Sequence, residues 1–580
     1  MKYIGIDIGD GESAVTEVSP EGALIPSVLP IGEKDSIRSI VGKLNGSPVI
    51  GDTVVLNHMV TNRSARFKSR FLYDEAARED LRLFAQGLYN HLSAVLHDDK
   101  LKIALGCPAA WKEEARSRYA NIVSSAGFTN VYTVSESRAA FLYAHYCNEF
   151  NLSPDMLKRP TLVIDIGSST IDYAYIVEGK ERDVGVFGEE QLGAGLLDAL
   201  LLEKAVNESP HKEDILAIFE KYPSWKSYGE LIARNVKEDY FRSEASWVNT
   251  PCSGLAPIYL DVHTVLPLKI SVTCAEMEKL LDQPIKELKD RSFRQAVADT
   301  LERARSMTSE HPPELLIVTG GASRMAFFQD ACKNTFPDAL PALCNEPEFS
   351  IARGLGIAAR TDDILSQFRA KVNDYFESGA VSMEVGMHIP HLLPEYVPKV
   401  AALLEKKGVL EAVVDFQGSL WDSEQFDAYI MDKIGAVLQD KSLMRETDEI
   451  INTWMAKRLQ QTQAKLNELC DLYQIGRADM TLVKIRGEVK IGHVKAPISL
   501  RVLTLVNRNP VLSKLSKLIR NAAKIIPHGN SIMTRQLRRE LFASLSEPNG
   551  EFAHALSEQL VRELQMQINE QIKKVEIQIN

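Results

Sequence analysis

Apolar positions along the chain follow two regimes. Up to about residue 363, short β-branched runs that are apolar on both faces end in glycine-rich turns, at residues 3–8, 162–166 and 315–318. Runs without a polar face predict central strands covered on both sides. Between them, apolar residues recur at helical spacing, as in 113–126 and 135–149, which predicts amphipathic helices. Strand–turn–helix alternation over the first 370 or so residues predicts an α/β architecture. Beyond Asp363 the helical period takes over, at 398–407, 423–439, 446–473 and 551–573. The last of these carries Leu556, Leu560, Leu564 and Ile568 at four-residue spacing, the pattern of a helical pairing seam. Strand-like runs at 410–416, 482–485, 489–491 and 575–579 add a small sheet to this mainly helical region, 366–580.

Composition narrows the class without naming it. The 580 residues are 45% hydrophobic and 25% charged, the proportions of an ordinary globular chain, which excludes a collagenous, disordered or disulfide-scaffold protein. A net charge of −11 disfavours bulk electrostatic binding of nucleic acid. That figure averages unlike parts, because residues 481–540 hold six Lys and seven Arg against two Glu, a net +11. Inside this basic segment, Pro510 and Pro527 bracket a helical pattern whose apolar positions include Val511, Leu515 and Leu518, with Lys514, Lys517 and Lys524 opposite. Two readings of it stay open: an anionic surface partner (lipid, nucleic acid or acidic protein), or a core-packed helix whose lysines are solvated or paired with the acidic remainder. The seven cysteines are odd in number, far apart and include no CxxC pair, so free buried thiols in a reducing compartment are expected. Met1–Asp7 meets an acidic residue before any apolar stretch of signal length, and no run is long enough to span a bilayer. A cytoplasmic location is expected.

Two segments share one chemical design. Asp7-Ile8-Gly9-Asp10-Gly11-Glu12-Ser13 and Asp165-Ile166-Gly167-Ser168-Ser169-Thr170-Ile171-Asp172 each deliver an Asp at the end of an apolar strand, turn through small residues, and enter a second strand. Gly and Ser let backbone amides approach phosphate oxygens closely. The Asp suits a hydrated magnesium ion, which prefers carboxylate and phosphate oxygen. A third cluster, Gly320-Gly321-Ala322-Ser323-Arg324, follows the third strand; it lets the chain pass close to a flat ligand, with Arg324 against an adenine face. A fourth, Ser350 to Ala358, places Ala352, Gly354 and Gly356 among small residues at helical spacing and predicts close helix packing, not ligand contact.

In this order the motifs resemble the actin-like ATPase superfamily, and within it the nucleotide-binding domain of DnaK-type heat shock protein 70 chaperones. Asp165–Asp172 is similar to that family's second phosphate loop, Leu192-Gly193-Ala194-Gly195-Leu196-Leu197-Asp198 to its LGGxxFD stretch, and Gly320–Arg324 to its GGSTR motif. Cys107-Pro108-Ala109-Ala110 and Glu136-Ser137-Arg138-Ala139-Ala140 resemble its VPA and EPTAAA segments. The likeness spans about residues 1–365. It implies a duplicated, two-lobed (ribonuclease H-like) fold, lobe I being about 1–160 plus 342–365 and lobe II about 161–341, clamping Mg-ATP. Asp7 and Asp165 would hold magnesium, and Glu136 would help position the attacking water. Gly9, Asp10, Gly11, Gly167, Ser168, Ser169 and Thr170 would line the phosphates, while Gly320, Gly321, Ser323 and Arg324 would line the adenosine. Lys68 stands where the family has its catalytic lysine; an exposed lysine in the basic run Arg66–Arg70 is the alternative. Lys237 and Glu238 match the family's adenosine-gripping helix; a solvated helix face with charge pairs is the alternative.

The chain departs from that pattern where the family carries two threonines, at Asp10 and Gly11. A carboxylate at residue 10 either faces the γ-phosphate and slows hydrolysis, or caps a turn through its side chain. No alternating strands of a peptide-binding β-sandwich follow residue 365. The expected function is an ATP-binding, chaperone-like switch with weak or partner-dependent hydrolysis, acting on a protein partner or client. An actin-like or plasmid-segregation-like filament is the alternative, and a small-molecule kinase a third reading.

Overall fold

The computed structural model describes residues 1–57, 59–96, 100–146, 159–177, 180–182, 191–260, 264–406, 441–477, 480–482 and 545–579, with a few single positions besides. The chain forms two compact units, Met1–Asp362 (with Ile577 onward) and Asp363–Glu576. The first is mixed α/β, and the described part of the second is helical.

Two sheets organise the first unit. In one, β1 (Lys2–Ile8) pairs antiparallel with β2 (Glu12–Val18), which is flanked by β3 (Pro26–Val28) and also pairs with β4 (Ser36–Arg38). A small sheet of β5 (Ile40–Leu44), β6 (Ser47–Ile50) and β7 (Thr61–Ala65) follows. On its other side β1 runs parallel to β8 (Leu101–Cys107), and β8 parallel to β9 (Val131–Ser135). In the second sheet β10 (Thr161–Ile166) pairs antiparallel with β11 (Ile171–Val177), which carries β12 (Lys180–Arg182) at its edge. After a long excursion that includes the hairpin β13 (Cys252–Tyr259) and β14 (Val265–Val272) and the two-residue β15 (Pro284–Ile285) and β16 (Arg291–Ser292), the chain returns. It lays β17 (Leu315–Thr319) parallel to β10 and β18 (Leu340–Leu343) parallel to β17. The two sheets therefore share strand order and sense. The runs read as two-sided apolar are their centres: β17 is buried throughout, and β1 and β10 except at Lys2, Asp7 and Asp165.

Helix Glu136–Tyr146 lies between the sheets. Ala139, Leu142 and Tyr143 pack toward Tyr3, Val18 and Ala104, while Ala140, Phe141 and Ala144 pack toward Val163, Ile176 and Ile317. Helix Ser350–Glu377 crosses it at van der Waals limit: a Cβ on Gly354 would lie 1.8 Å from Ala139 O, so no side chain fits. The small residues read from the sequence as packing residues have that role.

In the second unit, helix Ala380–Lys406 contains Pro390, Pro394 and Pro398. The expected helix beginning at Pro398 is therefore only the end of a much longer one. Burial of Val385, Ile389, Leu392, Leu393, Tyr396 and Val397 along one stripe offsets the lost backbone bonds. The single helix expected over 446–473 is two, Lys441–Arg458 and Gln460–Leu472. The break is stabilised by the buried Glu384 carboxylate, which accepts the amides of Gln461 and Thr462 at 2.9 Å each. The strand expected over 575–579 is the last turn of helix Glu551–Ile579. Its alternating β-branched residues are too few to interrupt the four-residue stripe Leu556–Leu560–Leu564–Ile568–Ile572, which is fully buried. The runs 410–416 and 489–491, most of 482–485, helix 423–439 but for one residue, the Pro510–Pro527 helix and nearly all of the basic segment 481–540 lie outside the described residues. Among the described residues no strand occurs in this unit.

Candidate functional site

A cleft of about 1350 Å³, larger than the usual span of small-molecule pockets, opens in the first unit where the two sheets present their turns. The first turn is closed by Gly9 N donating to Glu12 O at 3.0 Å, the second by Gly167 N donating to Thr170 O at 3.0 Å. The second is braced from behind by Leu192–Gly195: Ala194 N donates to Gly167 O, and Gly195 N to Ser168 O. Gly9, Asp10 and Gly11 line the cleft from one side and Gly167, Ser168, Ser169 and Thr170 from the other. Ser169 Oγ is buried and has no hydrogen-bond partner among the described residues.

Asp7 and Asp165 stand at corresponding ends of β1 and β10. Burial pushes the Asp7 carboxyl up, to about 6, against the pull of the Lys68 ammonium. Burial pushes Asp165 well above the carboxylate range, and the negative charges of Glu136, Asp172 and Asp7 add to it. Asp165 Oδ1 is buried without a hydrogen-bond partner among the described residues. Asp172, directly across the hairpin from Asp165, takes a 2.7 Å bond from Thr170 Oγ1. Asp7, Glu136 and Asp165 thus share the field of one ammonium, Lys68, an arrangement that favours an added cation. Among the described residues, no group of three or more His, Cys, Asp or Glu side chains is set to hold a metal ion by itself. The donor set fits a hydrated ion completed by a ligand's own oxygens, with Asp7 and Asp165 as the protein's share.

Lys68 is not the exposed alternative. It is 7% exposed, is bonded to Glu136 Oε1, and lies 3.7 Å from Asp7 Oδ1. Burial alone would lower its pKa; the Glu136 carboxylate, then Tyr119 and Asp7, outweigh it and raise it well above the lysine range. Its turn is anchored by Phe67 and Phe71, both buried, with Phe71 stacked on Trp111 at 4.9 Å. Asp10 does not cap its own turn. Its Oδ1 accepts the amides of Lys68 at 3.1 Å and Ser69 at 3.2 Å. Glu136 opens the helix between the sheets, which sets its carboxylate against Lys68.

At the far end, Gly320 sits at φ +83°, where a Cβ would lie 2.3 Å from Ile166 O and 2.6 Å from Asp165 Oδ1. Only glycine allows β17 to leave so close to the second turn. Gly321 is open to the cleft. Ser323 does not line it; the residue is buried, its amide donating to Gly320 O in the short turn Gly321–Arg324. Arg324 lines the cleft, held by Glu348, whose two oxygens both accept from its Nη2 at 2.9 Å. Lys237 and Glu238 also line it. Lys237 is not on a solvated face: it is buried, pairing with Asp198 at 2.7 Å and donating to Ala194 O at 3.0 Å, whereas Glu238 is partly exposed and pairs with Arg234 one helical turn before it.

The residue that sequence reading missed is Arg234. Its Nε meets Glu238 at 2.6 Å, Nη1 donates to Gly11 O at 3.1 Å, and Nη2 reaches Glu12 at 3.3 Å, tying helix Pro223–Arg242 to the first turn. The Arg234–Glu238 spacing of one helical turn was a visible pairing signal; its reach across the cleft was not.

Compared with known proteins, the chain matches no family model, and no curated protein matches it. No helix among the described residues is long and apolar enough to cross a membrane.

Proposed function

We propose that this chain is a Mg-ATP-operated switch of the actin-like superfamily, nearest in its motifs to DnaK-type chaperones, with the two sheets as its duplicated lobes. The observation that carries this reading is the convergence of two DxG turns, each on the central strand of a sheet of the same order, on one cleft where Lys68 is bonded to Glu136. Magnesium would supply positive charge to the phosphates, and Asp7 and Asp165 would hold it. Amides of the two turns bind the phosphates. Lys68 offsets charge developing on the transferred phosphoryl group, and Glu136 orients the attacking water. Gly321 and Arg324 form a floor for the base. The described part of the second unit is helical and holds no strand, which argues for a readout other than a sandwich-type peptide clamp, and a protein partner is the reading for it.

Isothermal titration of Mg-ATP, followed by single-turnover hydrolysis, tests this. Wild type should bind in a magnesium-dependent manner, and Asp165→Ala should weaken binding at least about tenfold. A wild type that shows no binding of Mg-ATP would end the nucleotide reading.

A further inference from the structure

We propose that Asp10 is a positioning residue for Lys68 and not a brake on phosphate binding; the inference rests on the nucleotide reading above. A carboxylate in a phosphate turn should repel the ligand the turn is built to hold. The geometry gives this one a different occupation. A single oxygen, Oδ1, receives two consecutive amides, Lys68 at 3.1 Å and Ser69 at 3.2 Å. Two successive N–H groups converging on one oxygen form an anion nest, here filled by the protein's own side chain.

The nest lies in the turn that presents Lys68. Phe67 and Phe71 fix the turn's ends in the aromatic core with Trp111 and Tyr119, and Asp10 fixes its middle. A lysine side chain has four rotatable bonds and finds its target only as well as its backbone is aimed. With its amide held, Lys68 reaches Glu136 and stands 3.7 Å from Asp7. A displacement of the turn on the scale of an ångström would cost turnover far more than binding, because the ammonium's contribution depends on where charge develops. Asp10 also makes the first phosphate turn and the lysine turn one mechanical piece, so the lysine is set by the same backbone that contacts phosphate.

Asparagine separates the two roles. Asp10→Asn keeps an oxygen that accepts both amides and removes the charge; Asp10→Ala removes both. If Asp10 positions Lys68, Asp10→Asn should keep kcat within about threefold of wild type, while Asp10→Ala loses about 30-fold in kcat with little change in KM. If Asp10 is a brake, both variants should gain in kcat or in ATP affinity, which would overturn the proposal. A second arm needs no turnover: acetic anhydride labelling of Lys68 in the ligand-free protein, read by peptide mass mapping. Lys68 should be protected equally in wild type and Asp10→Asn and label about tenfold faster in Asp10→Ala. Equal labelling in all three overturns the proposal. Absence of Mg-ATP binding by wild type would instead overturn the nucleotide reading and leave the labelling arm to judge Asp10.

Discussion

Asp52 receives Lys34 Nζ at 2.5 Å and Arg38 Nε at 2.9 Å. Burial would raise its carboxyl; the Lys34 hydrogen bond and the charge of Arg38 outweigh burial and bring it below the ordinary value of 3.8. A carboxyl with a folded pKa below its unfolded one stabilises the fold above the unfolded value and loses that contribution as pH falls through the folded one. Asp52→Asn should therefore lower Tm at pH 7, and the difference from wild type should shrink as pH drops below 3.8. A gap that stays constant across that range excludes the ion pair as its cause. Asp165 is the opposite case, a carboxyl raised by burial whose Oδ1 has no hydrogen-bond partner among the described residues, and it was legible: a strand-end Asp before a small-residue turn announces itself within eight residues. The occupation of Asp10 was not, because its partners are the amides of Lys68 and Ser69, brought to it by tertiary folding. Ser323 misled for a related reason: within a glycine motif nothing local says which residue turns inward.

At the scale of elements, the sequence periods located the central strands and the helix between the sheets, since both are set by which residues must leave water. They did not locate helix ends decided from outside the helix. Gln460–Leu472 begins where it does because Glu384, on another helix, satisfies its first amides and takes a further bond from Thr462 Oγ1. Asp, Asn, Ser or Thr immediately before a helix can be read as a cap; a Glu from another helix cannot. Glu384→Ala strips those amides of their acceptor in a buried setting and should destabilise the second unit by about 1–3 kcal/mol. Urea unfolding followed by circular dichroism checks it, and an unchanged midpoint would mean that water replaces the cap. The prolines of Ala380–Lys406 make the same point in reverse, since local chemistry forbids what the buried stripe of that helix imposes.

For the whole molecule, Arg234 matters most among the residues not foreseen. Burial would lower its pKa; Glu12 and Glu238 outweigh burial and raise it. With Arg38 Nη2 donating to Asn235 Oδ1 at 2.6 Å, it joins the parts of the first unit on either side of the cleft. Opening that cleft has to break these bonds. Arg234→Met should therefore release a fluorescent ATP analogue about tenfold faster than wild type, measured by stopped-flow chase. An unchanged rate would show that the clasp does not limit opening. The clasp closes over Gly11, where a Cβ would lie 2.8 Å from Ser168 Cβ and 3.1 Å from an Arg234 nitrogen. The two glycine turns thus share one small volume, and bulk gained by one has to be given up by the other. A side chain at residue 11 therefore asks for glycine at residue 168, so the two positions should tolerate substitution only as a pair.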